Sequence, residues 1–270
     1  MKKRLLCLFI CLFSILTVFS QPKVLCFYSR YNDPAHLSFI EEANTWFNQK
    51  SRELGFQYDT CLGWSKLNTR ELENYQLILF LDSRPEDSAS RKAFERYMEQ
   101  GGAWIGFHFA GFALTPSDFN DDWNWYHHQF LGSGAYKSNT WRPTGAYLKN
   151  ESPKSPFLHQ LKDSFWVGPN EWYRWENNLR KNKRIQVLLS IHPASFPLGT
   201  GPKPEEIWHE GDYPVVWTNK NYRMLYINMG HNDMDYSKNP APSLSHQFNN
   251  SNYCRLVENA LSMFLKLQKR

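Results

Sequence analysis

The run Leu77-Ile78-Leu79-Phe80-Leu81 is five apolar residues without a polar interruption. A strand with one face in water alternates apolar and polar side chains, whereas a strand covered on both faces does not. Residues 103–109 read the same way. Between the two runs, residues 85–100 place Ala89, Phe94, Tyr97 and Met98 near helical spacing. Asp87 or Ser88 can cap the start of that helix, and Gly101-Gly102 ends it. Strand, helix, strand in this order predicts parallel strands in a sheet flanked by helices.

The surrounding chain extends the pattern. Residues 22–29 form a short β-rich run, residues 37–54 carry Leu37, Ile40, Ala43, Phe47 and Leu54 at helical spacing, and Gly55 follows as a stop. Residues 56–60 predict a weak strand and residues 66–73 a short helix. After His128 the texture changes to strands over 144–149, 172–175, 185–191, 214–218 and 223–229, joined by loops rich in Pro, Gly and Asn. A closing helix over 252–267 buries Tyr253, Leu256, Val257, Ala260, Leu261 and Phe264. The expected fold is α/β: a mainly parallel sheet with helices on both faces and additional antiparallel strands in the C-terminal half. No linker or repeat divides residues 21–270, so they are expected to form one domain.

The first twenty residues predict a secretory signal peptide. Lys2, Lys3 and Arg4 precede an apolar stretch over 5–19, and Val18-Phe19-Ser20 before Gln21 suits cleavage. A helix over 5–20 would span about 24 Å, short of a hydrocarbon core of about 30 Å. The chain is therefore expected to be exported, periplasmic or secreted, with no stable membrane insertion after cleavage. Cys7 and Cys11 lie inside the apolar stretch, where no lipoprotein site would fall. Losing Lys2, Lys3 and Arg4 takes the net charge from +5 to about +2, which gives nucleic acid no reason to bind. Cys26, Cys61 and Cys254 remain, an odd count that permits at most one disulfide.

In open α/β sheets ligands bind beyond the carboxyl ends of the strands. His36, His108, Glu171 and His231 fall on or just after such ends, and together they have the composition of an acid–base site or a metal centre. Gly106-Phe107-His108-Phe109-Ala110-Gly111 has the shape of a nucleophile elbow, a strand and turn whose small residues expose one side chain. Acyl transfer would need Ser or Cys there; a histidine favours a base, an acid or a metal ligand. Eleven Trp in a chain of mean hydropathy −0.61 exceed what a core demands. Trp123, Trp125, Tyr126, Trp141, Trp172, Tyr173, Trp175 and Trp208 are candidates for an aromatic platform under a sugar ring. Trp46, Trp104 and Trp217 read as core, and His127-His128 as a solvated helix face. Asp233 and Asp235 are placed either to orient His231 or to cap a turn.

Several motifs in order, Leu77-Ile78-Leu79-Phe80-Leu81, Gly101-Gly102-Ala103-Trp104-Ile105-Gly106-Phe107-His108, Trp125-Tyr126, Glu171-Trp172-Tyr173, Pro214-Val215-Val216-Trp217 and Met229-Gly230-His231, resemble the ThuA-like (trehalose utilisation) family. The resemblance implies a flavodoxin-like fold, similar to class I glutamine amidotransferases but without their elbow cysteine, and a role beside the oxidoreductases that make 3-keto sugars. Carried over by motif, His108, Glu171 and His231 are the catalytic candidates. His36 matches loosely, since the family's Phe-Arg-His reads Pro34-Ala35-His36 here. A Gly-His-Pro found in relatives is replaced by Lys137-Ser138-Asn139-Thr140.

The leading expectation is an exported carbohydrate-active enzyme of lyase, isomerase or hydrolase type working on a keto sugar or glycoside. His108 or Glu171 would take the proton, and His231 would polarise the carbonyl, with a divalent metal such as Zn on His108 and His231. His36, Trp125, Tyr126, Trp172 and Tyr173 would bind substrate, a small carbohydrate. A non-catalytic sugar-binding accessory protein is the alternative; thiol-dependent chemistry is disfavoured, since no cysteine lies at the elbow. The enzyme reading requires His36, His108, Glu171 and His231 to converge within about 5 to 8 Å.

Overall fold

The computed structural model describes residues 21–30, 34–112, 123–140, 143–195, 213–231 and 245–267. The expected signal peptide, Trp141, Trp208, Asp233 and Asp235 lie outside the described residues. Strand β1 (Lys23–Tyr28) is followed by helix α1 (Pro34–Leu54), β2 (Gln57–Leu62), α2 (Thr69–Leu72), β3 (Leu77–Leu81), α3 (Ser88–Glu99) and β4 (Ala103–Phe107). Asp87 caps α3 by accepting from the Ser90 amide. Then come β5 (Tyr136–Asn139), β6 (Thr144–Asn150), β7 (Ser164–Asn170), β8 (Tyr173–Trp175), β9 (Ile185–Ile191), β10 (Pro214–Asn219), β11 (Arg223–Ile227) and α4 (Ser251–Leu265).

Nine strands form one sheet in the order β2-β1-β3-β4-β11-β10-β9-β6-β7, and β5 pairs with β8 in a separate ribbon. The first five are parallel; from β10 onward each neighbour is antiparallel. Successive residues of β1 face opposite sides of the sheet. Val24 and Cys26 join a core with Phe39 and Phe47 of α1 and Leu256 and Ala260 of α4. Leu25 and Phe27 join a second core with Phe94 and Met98 of α3. Both layers need apolar strand residues, which is why β3 and β4 are uniformly buried.

Three details depart from the expectation. β4 ends at Phe107, because His108 turns into a 3-10 turn (His108–Gly111) with φ of 41°. A π-helix at Trp125–Phe130 buries His127 instead of exposing it, since its ring lies on the core side against Tyr126. β7 was hidden in the sequence by Gly168-Pro169; as an edge strand it accommodates a residue without an N–H. Cys26, Cys61 and Cys254 are free thiols, and burial pushes Cys26 up to about 12. No helix among the described residues is long and apolar enough to cross a membrane.

Candidate active site

Two strands of the parallel half end in strained backbone. Asp82 directly follows β3 and His108 directly follows β4, and both take positive φ, 49° and 41°. That region is unfavourable for any residue with a Cβ and persists only where surroundings enforce it. The enforcement is visible. The buried Asp82 carboxylate accepts from the Phe109 amide at 2.8 Å and from His108 Nδ1 at 3.1 Å. Tyr226 donates its hydroxyl to the His108 carbonyl at 2.7 Å, and Tyr126 donates to the Ala110 carbonyl at 2.7 Å. Gly230 passes so near the elbow that a Cβ there would lie 2.9 Å from His108 Cβ.

Asp82 also accepts from Nδ1 of His36, which stands in the first turn of α1. His231 follows β11 by four residues, and Glu171 follows β7. Backbone and side chain lock these last two together: the Glu171 amide donates to the His231 carbonyl at 3.0 Å, and Glu171 Oε2 accepts from His231 Nδ1 at 2.8 Å. The His36 ring lies 4.3 Å from that of His231 and 5.4 Å from that of His108; His108 and His231 are 5.7 Å apart. His108 Nε2 reaches the Glu171 carbonyl at 3.0 Å and its Oε2 at 3.5 Å. The four residues picked from sequence therefore converge.

Electrostatics follow from this packing. Burial alone would raise the pKa of Asp82, but the two imidazoles hold it far below the usual carboxylate range. Glu171 is lowered too, burial being outweighed by the His231 hydrogen bond and by the charges of His108, His231 and His36. Both are carboxylates that only accept, so the Nδ1 atoms facing them on His36 and His231 carry the hydrogens. Nε2 is then the atom each ring offers to a metal or substrate. His108 differs: its ring is fully buried and each nitrogen faces an acceptor. Burial lowers its pKa, against the opposing pull of Asp82 and Glu171. One nitrogen from each of His36, His108 and His231 lies within 4.8 Å of the others, a spacing that could hold one metal ion after small ring movements.

The expected aromatic platform is only partly there. Tyr173 packs on His108, with centroids 4.0 Å and ring planes 33° apart, and is itself buried, so it supports that imidazole and offers no face of its own. Trp172, its neighbour in sequence, points the other way, is fully buried and donates Nε1 to the Thr144 carbonyl at 2.8 Å. Tyr126 is likewise fully buried beneath the elbow. Neither can offer a face to a ligand, which corrects the sequence reading. Trp125, partly buried, packs on Phe130 at 5.1 Å and Tyr222 at 5.7 Å, against the α3-side core. Asp82 was missed, although a carboxylate ending the most apolar strand was a readable signal.

A mixed sheet with five parallel strands, with a strained elbow that carries histidine and two carboxylates bracketing three imidazoles, defines a protein of the flavodoxin-like α/β class whose elbow presents an imidazole. Within that class the chain belongs to the ThuA family, described as trehalose utilisation, whose model matches residues 23–246. A ThuA-like protein from Bacteroides uniformis is 33% identical over 91% of this chain and 93% of that one, with a TM-score of 0.77. A ThuA-like protein from Parabacteroides merdae, 14% identical over 93% of each chain, has a TM-score of 0.57. A β-galactosidase from Bacillus circulans sp. alkalophilus, 10% identical, matches 92% of this chain but 31% of its own, with a TM-score of 0.52. The last two show shared fold alone. No significant match was found among curated proteins.

Proposed function

We propose that the protein acts in carbohydrate utilisation as an acid–base enzyme on a keto sugar or keto glycoside. Family membership supports the carbohydrate role, and the convergence of Glu171, His36 and His231 around one point carries the chemistry. A ketone acidifies the C–H beside it. Glu171, ionised and hydrogen-bonded to His231, takes that proton. The electron pair moves onto the carbonyl oxygen, which accepts a hydrogen bond from Nε2–H of His36 or His231 with that ring in its imidazolium form, Nδ1–H remaining on its carboxylate. The resulting enolate either expels a glycosidic group on the adjacent carbon or is reprotonated, giving elimination or isomerisation. A divalent metal on Nε2 of His36 and His231, joined by His108 only if that ring gives up its contact with the Glu171 carbonyl, would supply the same polarisation more strongly. His108, engaged at both nitrogens, is the positioning residue that ties Asp82 to Glu171.

The test is turnover of a 3-keto glycoside by the full chain, together with metal analysis of the purified protein. Glu171→Gln should lower kcat by about 10²- to 10⁴-fold, and His36→Ala and His231→Ala should lose turnover along with any bound metal. Full activity in Glu171→Gln and His231→Ala would sink the reading.

A further inference from the structure

Three aromatic rings beside the histidine cluster are only partly buried, unlike Tyr126, Trp172 and Tyr173. Phe109 lies within the elbow turn and Phe112 directly follows it, and their rings stack on each other at 4.8 Å with an interplanar angle of 9°. Tyr136, which opens β5, lies 4.9 Å from Phe112. This wall is joined to the cluster at two points. Phe109 stands edge-on to His36 at 5.6 Å, and Phe112 and Tyr136 both rest on Tyr173, at 5.8 and 5.3 Å, the ring that packs against His108. The β5–β8 pairing places Tyr136 opposite Trp175 and so fixes the outer part of the wall to the strand that supplies Tyr173.

Partly exposed aromatic surface running into a set of imidazoles and carboxylates has a definite ligand chemistry. It suits a ring with an apolar C–H face and polar edges, which is what a pyranose presents. Resting on the acid–base reading above, we propose that Phe109, Phe112 and Tyr136 form the subsite that holds the apolar face of a pyranose ring while its polar edge meets Glu171, His36 and His231. The platform so proposed is built from residues on the elbow turn and β5, none of which is among the aromatic residues picked from the sequence.

The experiment is calorimetric titration of the full chain with trehalose, with methyl α-glucopyranoside and with sorbitol, an open-chain polyol with no ring face. Cyclic sugars should bind and sorbitol should bind at least tenfold more weakly. Phe112→Ala and Tyr136→Ala should each weaken cyclic-sugar binding by about three- to tenfold, whereas Tyr136→Phe should keep most of it. Trp166→Ala removes an exposed ring on β7 and should change nothing. Equal affinity for sorbitol, absence of cyclic-sugar binding by the unaltered protein, or unchanged affinity in both alanine variants would each overturn the subsite. Those results leave the acid–base reading standing if Glu171→Gln still abolishes keto-glycoside turnover. Sugar binding that depends on the wall while Glu171→Gln stays fully active keeps the subsite and removes that reading.

Discussion

The parallel half of the sheet and the antiparallel half build the site in different ways. In the parallel half, β1, β3, β4 and β11 are covered on both faces, and their ends deliver His36, Asp82, His108 and His231. Two of these imidazoles hang on one buried carboxylate, Asp82. In the antiparallel half, β6 and β7 alternate, with Ala146, Leu148, Phe165 and Val167 inward and Tyr147 and Trp166 about half exposed. Its edge strand contributes a single carboxylate, Glu171, tied to the first half through His231. The half covered on both faces holds the frame, and the outer pair β6–β7, which has one free face, supplies the group assigned to move a proton. Damage to the first should cost stability and activity together; damage to the second should separate them.

The sharpest way to break this contrast is Asp82→Ala. It leaves His36 Nδ1, His108 Nδ1 and the Phe109 amide facing a void and removes the acceptor that sustains two left-handed residues. Removing one partner of a buried charged network costs about 3–5 kcal/mol, so the urea midpoint should fall steeply and turnover should vanish with it. Asp82→Asn keeps the shape but turns an NH₂ toward a ring N–H, and should fall between the two. An Asp82→Ala protein with an unaltered midpoint would refute the idea that the parallel half is the rigid frame.

A milder intrusion into the same half is Gly230→Ala. The added methyl would sit 2.9 Å from His108 Cβ and 3.3 Å from the Phe39 ring, so the elbow or α1 must shift. Overpacking of this kind costs about 1–3 kcal/mol. Turnover should drop more than sugar affinity does, because His108 moves while the aromatic wall stays. Equal losses of kcat and affinity would show that wall and frame are not separable.

The same contrast explains what could be read from the sequence. Unbroken apolar runs made the parallel strands legible, and the rule that ligands sit beyond their carboxyl ends led to His36, His108 and His231. Asp82 escaped because Asp82-Ser83-Arg84-Pro85 resembles an ordinary turn, and only the tertiary approach of His36 and His108 gives its carboxylate a task. Tyr126 and Trp172 were expected to offer faces to a ligand and are buried instead, because residue type does not report which way a ring points. Trp172 and Tyr173 are adjacent and diverge, one into the core and one onto His108. β7 stayed hidden because Gly168-Pro169 reads as loop unless the strand is known to be an edge.

The smallest expected effect tests the antiparallel half alone. Glu151 lies past the far end of β6, roughly 20 Å along the strand from Thr144, whose partner Asn170 adjoins Glu171. It pairs with Arg180, accepts from Ser190 Oγ, and is half-buried. Burial raises its pKa, but the Arg180 and Ser190 hydrogen bonds outweigh that and leave it below its ordinary 4.5. A carboxyl lowered on folding binds its proton more readily when unfolded, so its stabilisation is present above pH 4.5 and fades as pH falls through the folded value. Glu151→Gln should therefore cost about 0.5–1 kcal/mol at pH 7 for a partly solvated pair, and the gap from the unaltered protein should narrow at pH 4. Urea unfolding at the two pH values measures it. Turnover at pH 7 should not change, since the contacts of Glu151, to Arg180, Ser190 and Leu188, lie at the end of β6 away from Glu171. A loss of turnover matching the loss of stability would mean that the antiparallel half is as tightly coupled to the site as the parallel one.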